Sequence, residues 1–337
     1  MAHITFLAYP NCSLLSIFGP IEAFAIANLW NQTQGRDRHD REPLFSWHIV
    51  SLDGKAVKGY GGITIEPHRS IHEVDATDLI LIPAFLPPLD FIGKVSDEVL
   101  AWICRRHAEN TLIGTTCTGA FFLAETGLLN EKEATTNWAF ARYFKKLYPN
   151  VKLKPEKILS VDGGLICSGA NTSFLDLCLY LIKKFGSEDL SSRCAKSLLV
   201  ESGRRSQSPY FIVDFQKNHT DDKILEAQDY MEVSYTKPFS LDDLASDLGI
   251  SSRHFKRRFK NATGDSPLVY LQRLRIEAAK RKLETTLETV NEITWHVGYE
   301  DSNSFRRLFR NYTGLSPKEY RDRFARMPGQ GGGLGND

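Results

Sequence analysis

Sixteen residues near the C-terminus occur twice, fifty positions apart. Ser252-Arg-His-Phe-Lys-Arg-Arg-Phe-Lys-Asn-Ala-Thr-Gly-Asp-Ser-Pro267 returns as Ser302-Asn-Ser-Phe-Arg-Arg-Leu-Phe-Arg-Asn-Tyr-Thr-Gly-Leu-Ser-Pro317. Phe255, Arg257, Phe259, Asn261, Thr263, Gly264, Ser266 and Pro267 have identical counterparts at Phe305, Arg307, Phe309, Asn311, Thr313, Gly314, Ser316 and Pro317. Two copies of a short basic helix indicate one device used twice on a repetitive partner. Duplex DNA, whose major groove recurs every turn, is such a partner.

Ser240 is an N-cap candidate ahead of Leu241, Leu244, Ala245 and Leu248, apolar at helical spacing. Gly249 ends that helix, and Ser251 or Ser252 caps the next. Phe255 and Phe259 stand at i and i+4 and share one face, which leaves Arg253, Lys256, Arg257 and Lys260 outside the apolar stripe. A short helix, a glycine turn and a basic helix make a helix-turn-helix. The second copy runs through Val290, Ile293, Val297 and Gly298 to Phe305 and Phe309, with one more residue between turn glycine and first phenylalanine. It leaves Asn303, Arg306, Arg307 and Arg310 outward. Leu268 to Leu283 is expected to be the helix that joins the units. Trp295 and Tyr312 flank helices in apolar pattern and read as packing residues.

Charge supports this reading. Net charge is +1 over 337 residues, but Arg253 to Lys282 holds ten Lys/Arg against two acids, Asp265 and Glu277. A basic block in a near-neutral chain suits an anion-binding module on a larger protein. The six cysteines show neither C-x-x-C spacing nor histidine pairing of zinc type, and read as small buried hydrophobes in a reducing compartment. No apolar run reaches membrane-spanning length, and the N-terminus lacks the pattern of a signal peptide.

Residues from about 224 to 325 resemble the DNA-binding domain of the AraC/XylS family of transcription regulators. The carrying text is Leu244-Ala-Ser-Asp-Leu-Gly-Ile-Ser, Phe255-x-x-x-Phe259, Thr263-Gly-x-Ser-Pro267, Val297-Gly-Tyr-Glu-Asp-Ser-Asn-Ser-Phe-x-x-x-Phe309 and Thr313-Gly-x-Ser-Pro-x-x-Tyr-Arg321. The resemblance implies two helix-turn-helix units bridged by a helix, with recognition helices in successive major grooves on one face of the duplex. Arg253, Lys256 and Arg257 in the first helix, and Ser302, Asn303, Arg306 and Arg307 in the second, are the candidate DNA contacts. Arginine can bond guanine O6 and N7, and asparagine can do the same with adenine. Others of the set will hold phosphates, which fix position rather than sequence.

The first half of the chain alternates strand-like and helix-like segments, which argues for a largely parallel sheet covered on both faces. Strands are expected at Ile4 to Tyr9, Phe45 to Leu52, Gly62 to Glu66, Leu79 to Pro83 and Leu112 to Thr116, with a pair around Ile158 to Cys167 turned by Asp162-Gly163-Gly164. Helices are expected at Ile17 to Leu29, Val95 to Ala108, Phe121 to Thr126, Trp138 to Leu147 and Ser173 to Phe185. The turn Gly114-Thr-Thr-Cys117-Thr-Gly119-Ala120 leaves a buried strand and opens a helix, where a nucleophile is commonly presented.

This half resembles the ThiJ/PfpI-like branch of the class I glutamine amidotransferase superfamily, and more narrowly the sensor half of the GlxA-type regulators. The residues that carry it are Gly19-Pro20-x-Glu22, Cys117-Thr-Gly-Ala-Phe-x-Leu-Ala-Glu-x-Gly-Leu-Leu129 and Ala134-Thr-Thr-Asn-Trp138. In active enzymes of the superfamily a histidine partners the cysteine, and the position that would carry it here holds Asn137. Asparagine hydrogen-bonds but takes no proton, so the usual base is missing. The implied role is a ligand-sensing pocket lined by Glu22, Cys117, Thr118 and Asn137.

The combined expectation is a cytoplasmic, sequence-specific transcription regulator and not an enzyme. A flavodoxin-like, doubly wound α/β domain (1–190) senses a small metabolite and dimerises. A linker (191–223) leads to an all-α domain with two helix-turn-helix units (224–327) and a flexible tail (328–337). Its partners would be double-stranded DNA, a small-molecule effector, a second copy of the chain and RNA polymerase, with no membrane, metal or cofactor. By resemblance the effector is an amino acid or related nitrogen metabolite. Two other readings compete: a cysteine-dependent hydrolase or hydratase tethered to DNA, and an N-terminal domain kept only for dimerisation.

Overall fold

The computed structural model describes residues 1–33, 42–201, 203–213, 215 and 217–326. The expected tail, 328–337, lies outside the described residues. The chain forms two units, Met1–Gln207 and Ser208–Asp337.

The first unit contains β1 (Ala2–Leu7), α1 (Leu15–Thr33), β2 (Phe45–Ser51), β3 (Val57–Lys58), β4 (Thr64–Ile65), β5 (Arg69–Ser70), β6 (Leu79–Ile82), α2 (Asp97–Ala108), β7 (Leu112–Thr116) and α3 (Gly119–Glu125). Then come β8 (Glu133–Ala134), α4 (Ala141–Leu147), β9 (Lys152–Leu153), β10 (Leu159–Asp162), β11 (Leu165–Ser168), α5 (Ser173–Phe185) and α6 (Glu188–Ser197). Seven strands form one sheet in the order β10-β11-β7-β6-β1-β2-β5. Only the β10–β11 pair is antiparallel, closed by Gly163 and Gly164 as the sequence indicates. Strand order reverses between β1 and β6. Right-handed crossovers therefore put α1 and α2 on opposite faces, which gives the doubly wound fold. Ile4, Phe6, Leu79, Ile80, Leu81 and Ile113 are almost fully buried, as strands covered on both sides require.

Two expectations change. Gly62 to Glu66 does not join the main sheet; Thr64–Ile65 pairs antiparallel with Val57–Lys58 instead. The parallel partner of β2 is instead the next short strand, Arg69–Ser70. The polar stretch expected as linker, 191–223, is divided between the two units. Helix α6 caps with Ser187 and buries Leu190, Cys194 and Ala195 against α1 and α5. The polarity of residues 191–197 is the solvated face of a docked helix.

The second unit contains α7 (Asp222–Ser234), α8 (Leu241–Asp247), α9 (Ser252–Thr263), α10 (Pro267–Thr285), α11 (Val290–His296), α12 (Ser302–Thr313) and α13 (Pro317–Phe324). It has two cores, and α10 threads both. Tyr270, Leu271 and Leu274 pack with Phe255 and Phe259, while Ile276, Ala279 and Leu283 pack with Phe305 and Phe309. The repeated Thr-Gly-x-Ser-Pro text is a helix stop followed by a helix start. Thr263 and Thr313 donate to Phe259 O and Phe309 O, both at 2.8 Å. Gly264 and Gly314 end α9 and α12 in the left-handed conformation. Ser266 and Ser316 cap α10 and α13, with proline in the first turn. The residues before α7 pack on this unit: Phe215 meets the Tyr270 ring at 5.1 Å, and Tyr210 meets Phe324 at 5.4 Å.

The two turn glycines are not equivalent. Gly298 has φ of +85°, and a Cβ there would stand 2.8 Å from Tyr235 O and 3.0 Å from Thr236 O. Gly249 has φ of +66°, and its nearest neighbour would be the flexible Lys223 Nζ at 3.6 Å. Gly298→Ala should therefore destabilise the helical unit by about 2–4 kcal/mol, against about 1 kcal/mol for Gly249→Ala. Urea unfolding of the two variants checks the ranking.

In the first unit, Thr5 Oγ1 lies 2.9 Å from His48 Nε2. Burial first, then the charges of Arg69, His3 and His68, lower the His48 pKa from 6.5 to about 4. The unfolded chain takes up this proton near 6.5 and the folded chain only near 4, so the neutral ring favours folding. That contribution is complete above about pH 6.5 and is lost as pH falls toward 4. Thermal midpoints should fall across this window, and His48→Gln should flatten the fall. Equal pH dependence in both proteins would exclude His48 as the cause.

Candidate DNA interface and cysteine corner

The rotation of each outward helix follows from its buried residues. In α9, Phe255, Phe259 and Thr263 are buried; in α12, Phe305, Phe309 and Thr313 are buried. The exposure pattern along the two helices is identical position by position. Arg253, Lys256 and Arg257 are exposed on α9, as are Asn303, Arg306 and Arg307 on α12, with Ser302 half-buried at its start. Each helix thus carries its candidate contacts on a water-facing side. His254 and Ser304 are exposed beside them.

Local contacts hold several of these side chains. Lys256 Nζ lies 3.6 Å from Asp242 Oδ1. Arg306 donates to Asn291 Oδ1 at 3.3 Å, and Ser302 Oγ donates to the same oxygen at 3.2 Å. Asp301 caps α12 by accepting from Asn303 N and Ser304 N. Arg258, which the sequence did not single out, faces inward and binds Asp221 through Nε at 2.9 Å and a terminal nitrogen at 2.6 Å. That pair ties α9 to the cap of α7. Its repeat counterpart is the apolar Leu308, so the duplication gave no warning of it.

Trp295 corrects the sequence reading. Its side chain is 60% exposed rather than packed. The buried stripe of α11 runs through Ile293 to Val297, and a residue two positions from Ile293 points away from it. Tyr312 is half-buried and donates to Gln272 at 3.1 Å, a packing role as expected.

Cys117 occupies the turn after β7, outside the carboxyl ends of the strands, where open α/β sheets bind ligands. Its φ of +52° is the left-handed region for a residue with a side chain, a conformation held by its surroundings. Cys117 N donates to Ser168 O at 3.0 Å, and Thr136 Oγ1 donates to Cys117 O at 2.9 Å. A Cβ at Gly119 would stand 2.5 Å from Pro83 O, so only glycine lets the helix start this close to the neighbouring strand end.

The thiol meets Asn137, whose Nδ2 lies 3.5 Å from Cys117 Sγ. Asn137 Oδ1 accepts from Ala139 N at 3.0 Å, which orients the amide so that its donor faces sulfur. Among the described residues, no imidazole, carboxylate or amine hydrogen-bonds to Sγ. Thr118 is buried, and its hydroxyl exchanges hydrogen bonds with Phe85 N and O, so it braces the turn. Glu22 is exposed on α1, and no hydrogen bond joins it to Cys117 or Asn137. The sequence therefore named four residues, of which the structure brings two side chains together.

Gln207 was missed. It is buried, and its Nε2 donates to Thr136 O at 2.8 Å and Lys157 O at 3.0 Å, while its Oε1 accepts from Ala170 N at 3.1 Å. It lies in a polar run without periodicity, so no sequence signal marked it. Among the described residues no cluster could hold a metal ion and no helix is long and apolar enough to cross a membrane.

Residues 39–184 match the DJ-1/PfpI family, and residues 244–323 match a helix-turn-helix domain. The HTH-type transcriptional regulator GbdR of Pseudomonas aeruginosa is 25% identical over 319 residues, covering 94% of this chain and 83% of that protein. The HTH-type transcriptional regulator GlxA of Rhizobium meliloti is 24% identical over 312 residues, covering 90% and 92%. Isonitrile hydratase of Pseudomonas putida is 26% identical over 220 residues, covering 63% of this chain and 86% of the hydratase. The first two matches span both units.

Asn137→His would set a ring nitrogen where an amide now faces sulfur. An imidazolium there favours the thiolate, so iodoacetamide should alkylate Cys117 about tenfold faster at neutral pH. Burial pushes the Cys12, Cys167, Cys178 and Cys194 thiols up, which keeps them slow by comparison. Peptide mass spectrometry reads the site, and an unchanged rate would mean that residue 137 does not control the thiol.

Proposed function

Since the chain is a DNA-binding transcriptional regulator that joins a DJ-1/PfpI domain to an AraC-type helix-turn-helix domain, we propose that α9 and α12 read successive major grooves. We propose too that the Cys117–Asn137 corner senses a small metabolite. The matched exposure of the two outward helices carries the first statement. Arg253, Lys256 and Arg257 on α9, and Ser302, Asn303, Arg306 and Arg307 on α12, are the contacts, divided between base edges and phosphates. Asn137 supports the second, because it offers the thiol a fixed donor and no base. Cys117 and Asn137 would contact the effector directly, Thr118 would shape the turn, and Glu22 would border the site from α1. An amino acid or related nitrogen metabolite is the effector class that the GlxA resemblance implies.

On this reading the functional boundaries follow the two units, with residues 208–221 serving the helical one. The protein acts as a cytoplasmic homodimer, and RNA polymerase is the further partner a regulator bound at a promoter would meet. The hydratase match favours a second reading, chemistry at Cys117. A sulfur that meets an amide where a base is required does not support turnover.

The full-length protein should bind duplex DNA with an affinity that falls steeply with salt, because lysine and arginine displace condensed counterions. Arg307→Ala should cost about 1–3 kcal/mol on selected genomic fragments and little on random duplex if Arg307 reads a guanine. Equal losses on both would reassign Arg307 to a phosphate.

A further inference from the structure

The two helix-turn-helix units join their paired helices through the same side-chain joint, and the joints differ in charge. In the first unit the joint residue is Asp242, two positions after the cap Ser240. Its Oδ1 accepts from the Ser252 hydroxyl and lies 3.6 Å from Lys256 Nζ. In the second unit it is Asn291, two positions after the cap Thr289. Its Oδ1 accepts from Ser302 Oγ at 3.2 Å and from Arg306 at 3.3 Å. Each joint sets one oxygen between the hydroxyl at the first position of the outward helix and the cation at the fifth. The first unit uses a carboxylate where the second uses an amide.

Asp242 is ionised at neutral pH: the Ser252 hydroxyl first, then the Lys256 ammonium, hold its carboxyl below the usual range. The two side chains are 67% and 56% exposed, so water screens the pair and its own contribution to folding is small. Its effect on a polyanion is different in kind. A carboxylate on the outward face repels phosphates and offsets the charge of Lys256. Fewer counterions are then displaced when the first unit meets DNA. The inner helices differ likewise: α8 also carries Asp243 and Asp247, whereas the only acid in α11 is Glu292, which closes the capping box at Thr289. The second unit has Glu300 and Asp301 in its turn instead, and Asp301 is engaged as the cap of α12. A carboxylate is an acceptor only. Of the base edges in the major groove, it is matched by the N4 amino group of cytosine.

We propose that Asp242 divides the labour between the units. The second unit, with its neutral Asn291 joint, anchors the protein on DNA of any sequence. The first unit grips weakly except where a cytosine amino group meets Asp242 and frees Lys256 for a neighbouring acceptor. This rests on the reading of α9 and α12 as the DNA-facing helices.

The test uses the full chain, with wild type, Asp242→Asn, Asn291→Asp and the double exchange titrated against fluorescent random-sequence duplex at low and moderate salt. Asp242→Asn should tighten binding about three- to tenfold at low salt, and the gain should shrink as salt rises. Asn291→Asp should loosen it by a similar factor, and the double exchange should return close to wild type. On fragments selected by the wild type, Asp242→Asn should gain less than on random duplex, so that discrimination falls. Both positions are exposed, and circular dichroism melts confirm that each variant is folded. An unchanged affinity in either single variant overturns the proposal. Wild-type binding that ignores salt would instead overturn the placement of α9 and α12 on DNA.

Discussion

The pair of phenylalanines at i and i+4 in each outward helix is the constraint on which the helical unit depends. A helix turns about 100° per residue, so burying two positions four apart fixes its rotation. Once Phe255 and Phe259 are in the core, Arg253, Lys256 and Arg257 have nowhere to go but water. The same holds for Phe305 and Phe309 against Asn303, Arg306 and Arg307. Helix α10 then fixes the spacing, because its two halves belong to the two cores. Its 19 residues, at about 1.5 Å each, make a rod of about 28 Å. That is close to the roughly 34 Å over which a major groove recurs.

The cysteine corner follows a different logic, in which backbone geometry is kept while side-chain chemistry is not that of a nucleophile. The left-handed Cys117, the close approach at Gly119 and the paired bonds of Thr118 to Phe85 maintain a strand-to-helix turn that presents sulfur. Such strain is retained only where the surroundings determine it strongly. Asn137 meets that sulfur with a donor whose acceptor end is already engaged by Ala139 N. The amide and the thiol are thus both held in place by their surroundings.

Much of this was legible in the sequence because it rests on local periodicity. The repeat, the caps Ser240 and Ser251, the Thr-Gly-x-Ser-Pro junctions and the Asp162-Gly163-Gly164 turn are decided by a few adjacent residues each. The strand–helix alternation and the turn at Cys117 were accessible for the same reason. What sequence did not give are contacts between distant residues. Gln207 reaches Thr136, and Arg258 reaches Asp221, without any spacing rule to announce them. Trp295 was misread because hydrophobic character was taken for burial, whereas its angular position on α11 decides its exposure.

The location of Gln207 bears on how a sensor of this kind can act on DNA binding. An effector shifts an equilibrium only as far as it binds two states differently. Gln207 is the last residue of the first unit, and its side chain is bonded to the residues that hold Asn137 and Cys117. Four residues later, Phe211 O accepts from the buried Lys280 of α10. The Thr136–Gln207 bond therefore lies next to the point where the chain leaves the first unit. One buried hydrogen bond contributes about 1 kcal/mol net, and leaving its partner unsatisfied costs about 1–3 kcal/mol. Coupling energies of about 1–3 kcal/mol correspond to changes of roughly 5- to 150-fold in affinity. A single buried bond is thus of the same size as such coupling energies.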